Sequence, residues 1–243
     1  MPIENAMVLA AGLGTRMRPI TDTIPKPLVK IAGKPLIDYA LDTLKEAGCK
    51  RAAVNVYYLA DQMIAHLASY PGLEILISDE TDGLLNSGGG LAKGLELLPK
   101  GPVFVMNADL FWIGEGPGEK SNLRRLAEFF DPAAMDMAML CVRLEDTTGH
   151  DGKTDFSLFE DGRLVRHRPG EGQGVIYAGA IVLDSALFND APDGPFNLNI
   201  YFDKAIAAGR LHGLVLDGHW VTAGTPEAIG AAEAAVERYS EKV

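Results

Sequence analysis

The stretch Met7-Val8-Leu9-Ala10-Ala11-Gly12-Leu13-Gly14-Thr15-Arg16-Met17-Arg18-Pro19, followed shortly by Pro25-Lys26-Pro27, constrains this chain more than any other. An apolar run fit for a buried strand, residues 7–11, ends in two small residues and passes into glycines, a hydroxyl and two arginines. Gly12 and Gly14 carry no Cβ, so the backbone can turn tightly and come close to a ligand. Successive N–H groups in such a turn point at an anion, and Arg16 and Lys26 bring positive charge to it. The spacing predicts a phosphate-binding loop over Ala11, Gly12, Leu13, Gly14 and Thr15. It is neither of two familiar phosphate motifs: Met17 stands where a dinucleotide fingerprint needs its third glycine, and no Gly-Lys-Ser/Thr follows as in a P-loop.

Downstream, strand-like and helix-like stretches alternate. Residues 35–47 place Leu36, Ile37, Ala40, Leu41 and Leu44 at helical spacing, with Pro35 at the start and Gly48 at the end. Strands are expected at 52–56, 74–78 and 102–106. Helices are expected at 60–68 and, after a Gly88-Gly89-Gly90 turn, at 91–98. This rhythm implies βαβ units and an α/β fold with one doubly wound, mainly parallel sheet flanked by helices. Past Trp112 the pattern loosens into a surface loop at 114–120, a helix at 122–130 and a strand at 135–142. A hairpin of 155–159 and 163–167 around Asp161-Gly162 follows, then a strand at 177–183, a helix at 200–208, a strand at 211–216 and a closing helix at 226–239. No repeat, low-complexity tract or linker interrupts the 243 residues, which read as one domain.

Composition narrows the class. With 47% hydrophobic and 23% charged residues the chain is of globular type, and its formal charge of −11 argues against nucleic-acid binding. Cys49 and Cys141 have no metal-ligand spacing and are expected as buried thiols. No run is long enough for a membrane helix and no basic-then-apolar leader opens the chain, so a cytoplasmic protein is expected.

In parallel sheets ligands lie beyond the carboxyl ends of the strands. The opening loop, the glycine cluster and the residues after Met106 share that edge. Asn107-Ala108-Asp109 follows the apolar strand, and Asp109 there suits Mg²⁺, a hard cation that takes one or two carboxylates together with phosphate oxygens. Three glycines at a helix start, and Gly179 inside a strand, imply close approach of something.

The opening stretch with Pro25-Lys26-Pro27 resembles the signature of the nucleoside-triphosphate transferases that join a nucleotide to a sugar 1-phosphate. That signature reads roughly Leu-Ala-Ala-Gly-x-Gly-Thr-Arg-Met-x-Pro-x-Thr and then Pro-Lys-Pro; it is matched at Leu9 to Met17, Pro19, Thr21 and Pro25 to Pro27. The resemblance runs from end to end and implies a Rossmann-like fold, with a nucleotide-binding half (1–112) and a sugar-phosphate-binding half (113–243). It implies in-line attack of the sugar 1-phosphate on the α-phosphorus of a nucleoside triphosphate, with Mg²⁺ as cofactor. Ala11 to Thr15 would hold the triphosphate, Arg16 the departing pyrophosphate and Lys26 the α-phosphate, while Asp109 would bind the metal. Ser87, Gly88 and Asn107 would lie at the nucleotide. Arg168, in Arg166-His167-Arg168-Pro169, would meet the sugar phosphate and Gly179 the sugar ring, with His150, Asp151 and Asp155 in a loop able to reach a sugar. The short length, the Ser87-Gly88-Gly89-Gly90 turn and the stretch from Gly149 to Phe156 most resemble the members of this family that use UTP and N-acetylmuramate 1-phosphate, and that resemblance implies these substrates. Mannose 1-phosphate with GTP, or glucose 1-phosphate with dTTP or UTP, are the alternatives. A monomer or small homo-oligomer is expected, without nucleic-acid or membrane partners. One departure stands out: the family's Trp-x-Asp-x-Gly-Thr-Pro reads Trp220-Val221-Thr222-Ala223-Gly224-Thr225-Pro226 here, so a second metal ligand is replaced by Thr222. Asp217 or His219 could then assist the metal. The same departure supports the alternative of a non-catalytic nucleotide-sugar sensor.

Overall fold

The structure, a computed structural model, describes residues 2–116, 120–150 and 152–240. Its first half contains β1 (Asn5–Leu9), β2 (Lys30–Ile31), β3 (Lys34–Pro35), α1 (Leu36–Ala47), β4 (Arg51–Val56), α2 (Ala60–Ala68), β5 (Glu74–Asp79), α3 (Asn86–Leu95), β6 (Pro102–Asn107) and β7 (Leu110–Ile113). Its second half contains α4 (Asn122–Phe129), β8 (Met137–Val142), β9 (Thr147–Thr148), β10 (Phe156–Leu158), β11 (Leu164–Arg166), β12 (Gln173–Asp184), α5 (Asn199–Ala207), β13 (Leu211–Val215), β14 (His219–Thr222) and α6 (Ala228–Ser240).

The apolar runs become strands buried on both faces. In β1, Ala6 and Val8 pack toward α1 and α2, and Met7 packs toward α3 and α5 on the other side, as the two-residue period of a strand requires. β1 pairs in parallel with β4 and β6, and β4 with β5. β12 from the second half inserts antiparallel between β6 and β8. β13 joins β8 in parallel, and β10 and β11 extend the sheet antiparallel. Among the described residues the order is β11-β10-β12-β6-β1-β4-β5, with β8 attached at β12 and β13 at β8, nine strands in all. The sheet is thus the doubly wound, mainly parallel one expected, made mixed by β12.

Helix α1 forms where the spacing predicts it. Leu36, Ile37, Ala40, Leu41 and Leu44 are buried on one face, and Gly48 caps the C-terminus with a φ of 104°. Each fully buried Leu or Ile contributes about 1.5–3 kcal/mol from apolar burial. Two boundaries differ from expectation and matter for the site. β1 ends at Leu9, which frees Ala10 and Ala11 for the loop, and α3 begins at Asn86, so the three glycines lie inside the helix rather than in a turn before it. The surface loop expected at 114–120 and the His150-Asp151 pair fall partly outside the described residues.

β7 and β14 have no local periodic signal and exist by pairing with each other. Thr222 lies opposite Leu110 and Trp220 opposite Trp112, with β9 alongside β14. Trp220 Nε1–H donates to the Ala178 carbonyl at 3.0 Å, tying this small sheet to β12. Val221, Met17 and Ala232 share a separate core, which seats the opening loop on β14 and α6.

Candidate active site

The carboxyl ends of β1, β4 and β6 meet at one edge of the sheet, and a cavity of about 360 Å³ opens there. One wall is the loop after β1. Gly12 faces open space, since a Cβ built there would meet no atom within 4 Å. Gly14 adopts φ 62°, a left-handed conformation that glycine tolerates without strain. Its carbonyl accepts from Met17 N and from Thr21 Oγ1, both at 2.8 Å, which closes the loop into a tight turn. A Cβ at Gly14 would lie 2.9 Å from Lys26 Cβ, so the turn rests directly on the Pro25-Lys26-Pro27 segment.

Lys26 is only 8% exposed, and its Nζ donates to Asp109 Oδ2 at 2.6 Å. This is a charge-assisted bond of the strong kind. Asp109 stands in the turn between β6 and β7 with 40% of its side chain exposed toward the cavity. Nearby, the Tyr177 hydroxyl is buried with no hydrogen-bond partner among the described residues; its pKa is pushed up by burial and then by Cys141 and Asp109, so it stays neutral.

The facing wall is the start of α3. Asn86 has φ 60°, and Asn86, Ser87 and Leu84 line the cavity together with Asn197 from the segment before α5. Here the glycines serve protein packing. Gly88 and Gly89 N–H donate to the Phe196 carbonyl at 2.9 and 3.2 Å, and Leu198 N–H donates to Ser87 Oγ at 3.0 Å. A Cβ at Gly88 would come within 2.3 Å of the Phe196 ring, and one at Gly89 within 2.5 Å of the Gly194 carbonyl. Gly88, expected at the nucleotide, is not part of the cavity lining: its amide is engaged by the Phe196 carbonyl and its Cα packs against the Phe196 ring.

The cavity brings together Ala11, Gly12, Lys26, Ser87, Asn107 and Asp109 of the residues expected at the site. Leu13 and Thr15 sit on the exposed outer side of the loop. Arg16 leaves the cavity and lies beside Gly224, where a Cβ would meet its Nη1 at 3.7 Å. The Gly224-Thr225-Pro226 segment thus backs an arginine of the loop.

Other expectations are displaced. The close approach expected at Gly179 is real, but its neighbour is Leu110: φ is 81°, and a Cβ would lie 2.5 Å from the Leu110 side chain at a bulge in β12. Asp155 accepts from Tyr177 N–H at 2.9 Å and braces β12. The Arg168 guanidinium is 69% exposed, 3.6 Å from Glu171, and does not line the cavity.

Neither residue suggested as a substitute for the second metal ligand stands near Asp109. Asp217 pairs with Arg125 at 2.5 Å. His219 lies opposite Ile113, three residues from Thr222 or about 10 Å along the strand. Its Nε2 is 2.8 Å from Thr148 Oγ1, and burial lowers its pKa. Among the described residues no three His, Cys, Asp or Glu side chains gather as a metal cluster.

Three polar residues were not anticipated: Asn55 and Asn197, which line the cavity, and Glu80, which accepts from Asn55 Nδ2 behind it. Asn55, the one polar side chain facing inward in an apolar strand, was the readable signal among them.

A glycine turn open to the cavity beside a buried ammonium and an acid is suited to aligning polyphosphate, which is what transfer of a nucleotidyl group demands. Residues 5–149 match the model of the nucleotidyl transferase family, and the chain belongs to that family. It is 43% identical to an N-acetylmuramate alpha-1-phosphate uridylyltransferase from Caulobacter vibrioides, over 94% of this chain and 95% of that protein. A protein of the same name from Neisseria meningitidis serogroup B is 32% identical over 91% of this chain and 93% of its own length. Among solved structures, the inositol-1-phosphate CTP transferase from T. maritima superposes with a TM-score of 0.78 at 16% identity, covering 100% of this chain and 98% of that one, a likeness of fold.

Proposed function

We propose that the protein transfers the uridylyl group of UTP to N-acetylmuramate 1-phosphate, releasing pyrophosphate and giving the nucleotide-sugar. The observation that carries the reading is the cleft itself, in which the glycine loop at Gly12, the Lys26–Asp109 pair, Asn86 and Ser87 line one cavity. The choice of substrates is supported by the Caulobacter relative at 43% identity. On this reading the enzyme works in the cytoplasm, where it returns cell-wall sugar to the nucleotide-sugar pool.

The attacking phosphate oxygen is already ionised, so the reaction needs alignment and charge neutralisation and no general base. Backbone N–H groups around Gly12 hold the triphosphate, and Lys26 meets the charge on the α-phosphate. Arg16, on the outer turn of the loop, steadies the departing pyrophosphate. Ser87 and Asn107 flank the nucleoside end. Asp109 would hold Mg²⁺: its Oδ2 is engaged by Lys26, Oδ1 accepts no hydrogen bond among the described residues, and its side chain faces the cavity. One carboxylate with triphosphate oxygens and water is a donor set that Mg²⁺ accepts, so Thr222 in place of a second carboxylate is compatible with binding. When bound, the cation supplies charge neutralisation on the phosphates.

Pyrophosphate release measured across UTP, GTP, dTTP and CTP, each with N-acetylmuramate, mannose and glucose 1-phosphates, tests the proposal. UTP with N-acetylmuramate 1-phosphate should give the highest kcat/KM. Preference for another pair would overturn the substrates, and binding of nucleotide without any pyrophosphate would mark a sensor.

A further inference from the structure

We propose that Asn55 and Glu80 are positioning residues that tie the phosphate side of the cleft to its opposite wall. Asn55, near the end of β4, is 2% exposed, and Glu80, just past β5, is 1% exposed. Asn55 Oδ1 accepts from Ala10 N–H at 2.6 Å, where the loop leaves β1. This orients the amide, because a backbone N–H can only donate. Asn55 Nδ2 then donates to Glu80 Oε1 at 2.7 Å, and Glu80 Oε2 accepts from Leu85 N–H at 2.9 Å, one residue before α3. Three hydrogen bonds therefore run unbroken from the phosphate loop to the start of the helix that carries Asn86 and Ser87.

Gly90 belongs to the same device. A Cβ there would lie 2.5 Å from Glu80 Oε1 and 2.6 Å from Asn55 Nδ2, so the helix can sit this close only because position 90 has no side chain. A buried polar chain with every member satisfied fixes one arrangement, whereas a half-satisfied one is worse than none. Glu80 does not line the cavity. It acts through Leu85 and through Asn55, which itself lines the cavity and holds Ala10, setting the distance between the walls in a reaction where a misplacement of about 1 Å costs on the order of a hundredfold.

The substrate side of this inference rests on the UTP reading; the bridge itself can be tested without substrate. Glu80→Gln puts an NH₂ group against a donor at one of its two links and breaks the bridge there. Asn55→Asp removes the central donor and sets a second carboxylate beside the first. Combined, the two substitutions restore all three bonds with the central one reversed: the new carboxylate at 55 accepts from Ala10 N–H and from the new amide at 80, whose oxygen accepts from Leu85 N–H. One carboxylate remains and no volume changes.

In the ligand-free protein, Glu80→Gln should speed amide exchange at Ala10 about tenfold, although the two residues do not touch. Each single variant should raise KM for UTP about tenfold while leaving KM for the sugar 1-phosphate within about twofold. The double variant should return both readouts to within about threefold of wild type. Unchanged Ala10 exchange in Glu80→Gln overturns the bridge. A double variant whose defect is the product of the single ones, or one that recovers Tm but not KM for UTP, overturns the positioning role. A wild-type protein inactive with UTP would refute the substrate reading, while the exchange result would still decide the bridge.

Discussion

Gly12 on the loop side of the cleft faces open space, whereas Gly88, Gly89 and Gly90 on the opposite side are met by Phe196, Gly194 and the Asn55–Glu80 pair. Both walls need a missing Cβ, for different reasons. At Gly12 the absent side chain leaves room that no atom of the described residues uses, beside an ammonium and a carboxylate that face the cavity. At Gly88 to Gly90 the room is taken by the chain itself, and the amides of Gly88 and Gly89 are already spent on Phe196. Glycine therefore marks a close approach, and the surroundings decide whether a ligand or the protein makes it.

The largest effect expected from breaking this contrast falls on the charged pair of the open wall. Lys26→Ala or Asp109→Ala should lower kcat by about 10²–10³ with the far-UV spectrum unchanged, as removal of a preorganised charge at a reacting phosphate does. Next comes the closed wall. Gly88→Ala forces a methyl against the Phe196 ring and should cost about 1–3 kcal/mol of stability, read as a fall in Tm. Truncating Phe196 in the same chain should return part of that cost, because the two changes share one space. The smallest effect on stability is expected for Gly12→Ala, within about 0.5 kcal/mol, since nothing stands where the new methyl would go.

Much of the fold was legible because the apolar spacing of α1 and the buried runs of β1, β4 and β6 are local signals. β7 and β14 were not: each is four residues long and is held as a strand by a partner far away in the chain. The start of α3 was misplaced because glycine lowers helix propensity, and packing against Phe196 and Gly194 overrides it. The sequence placed the loop, Lys26 and Asp109 on one sheet edge, and the structure brings Gly12, Lys26 and Asp109 to one cavity there. Asn55 and Glu80 could not be joined from the sequence: their bonds span 45 and 25 residues, and no local pattern specifies a partner at that range. Gly179 was correctly marked as a point of close approach, yet its neighbour Leu110 lies on a strand the sequence did not announce.

Calorimetric titration of UTP into wild type, Gly12→Ala and Gly88→Ala, with Tm recorded for each, addresses the contrast between the two walls most directly. An open, ligand-facing Gly12 predicts a wild-type Tm for Gly12→Ala with UTP affinity weakened about tenfold or more, and a lowered Tm for Gly88→Ala. Wild-type UTP affinity in Gly12→Ala would contradict it.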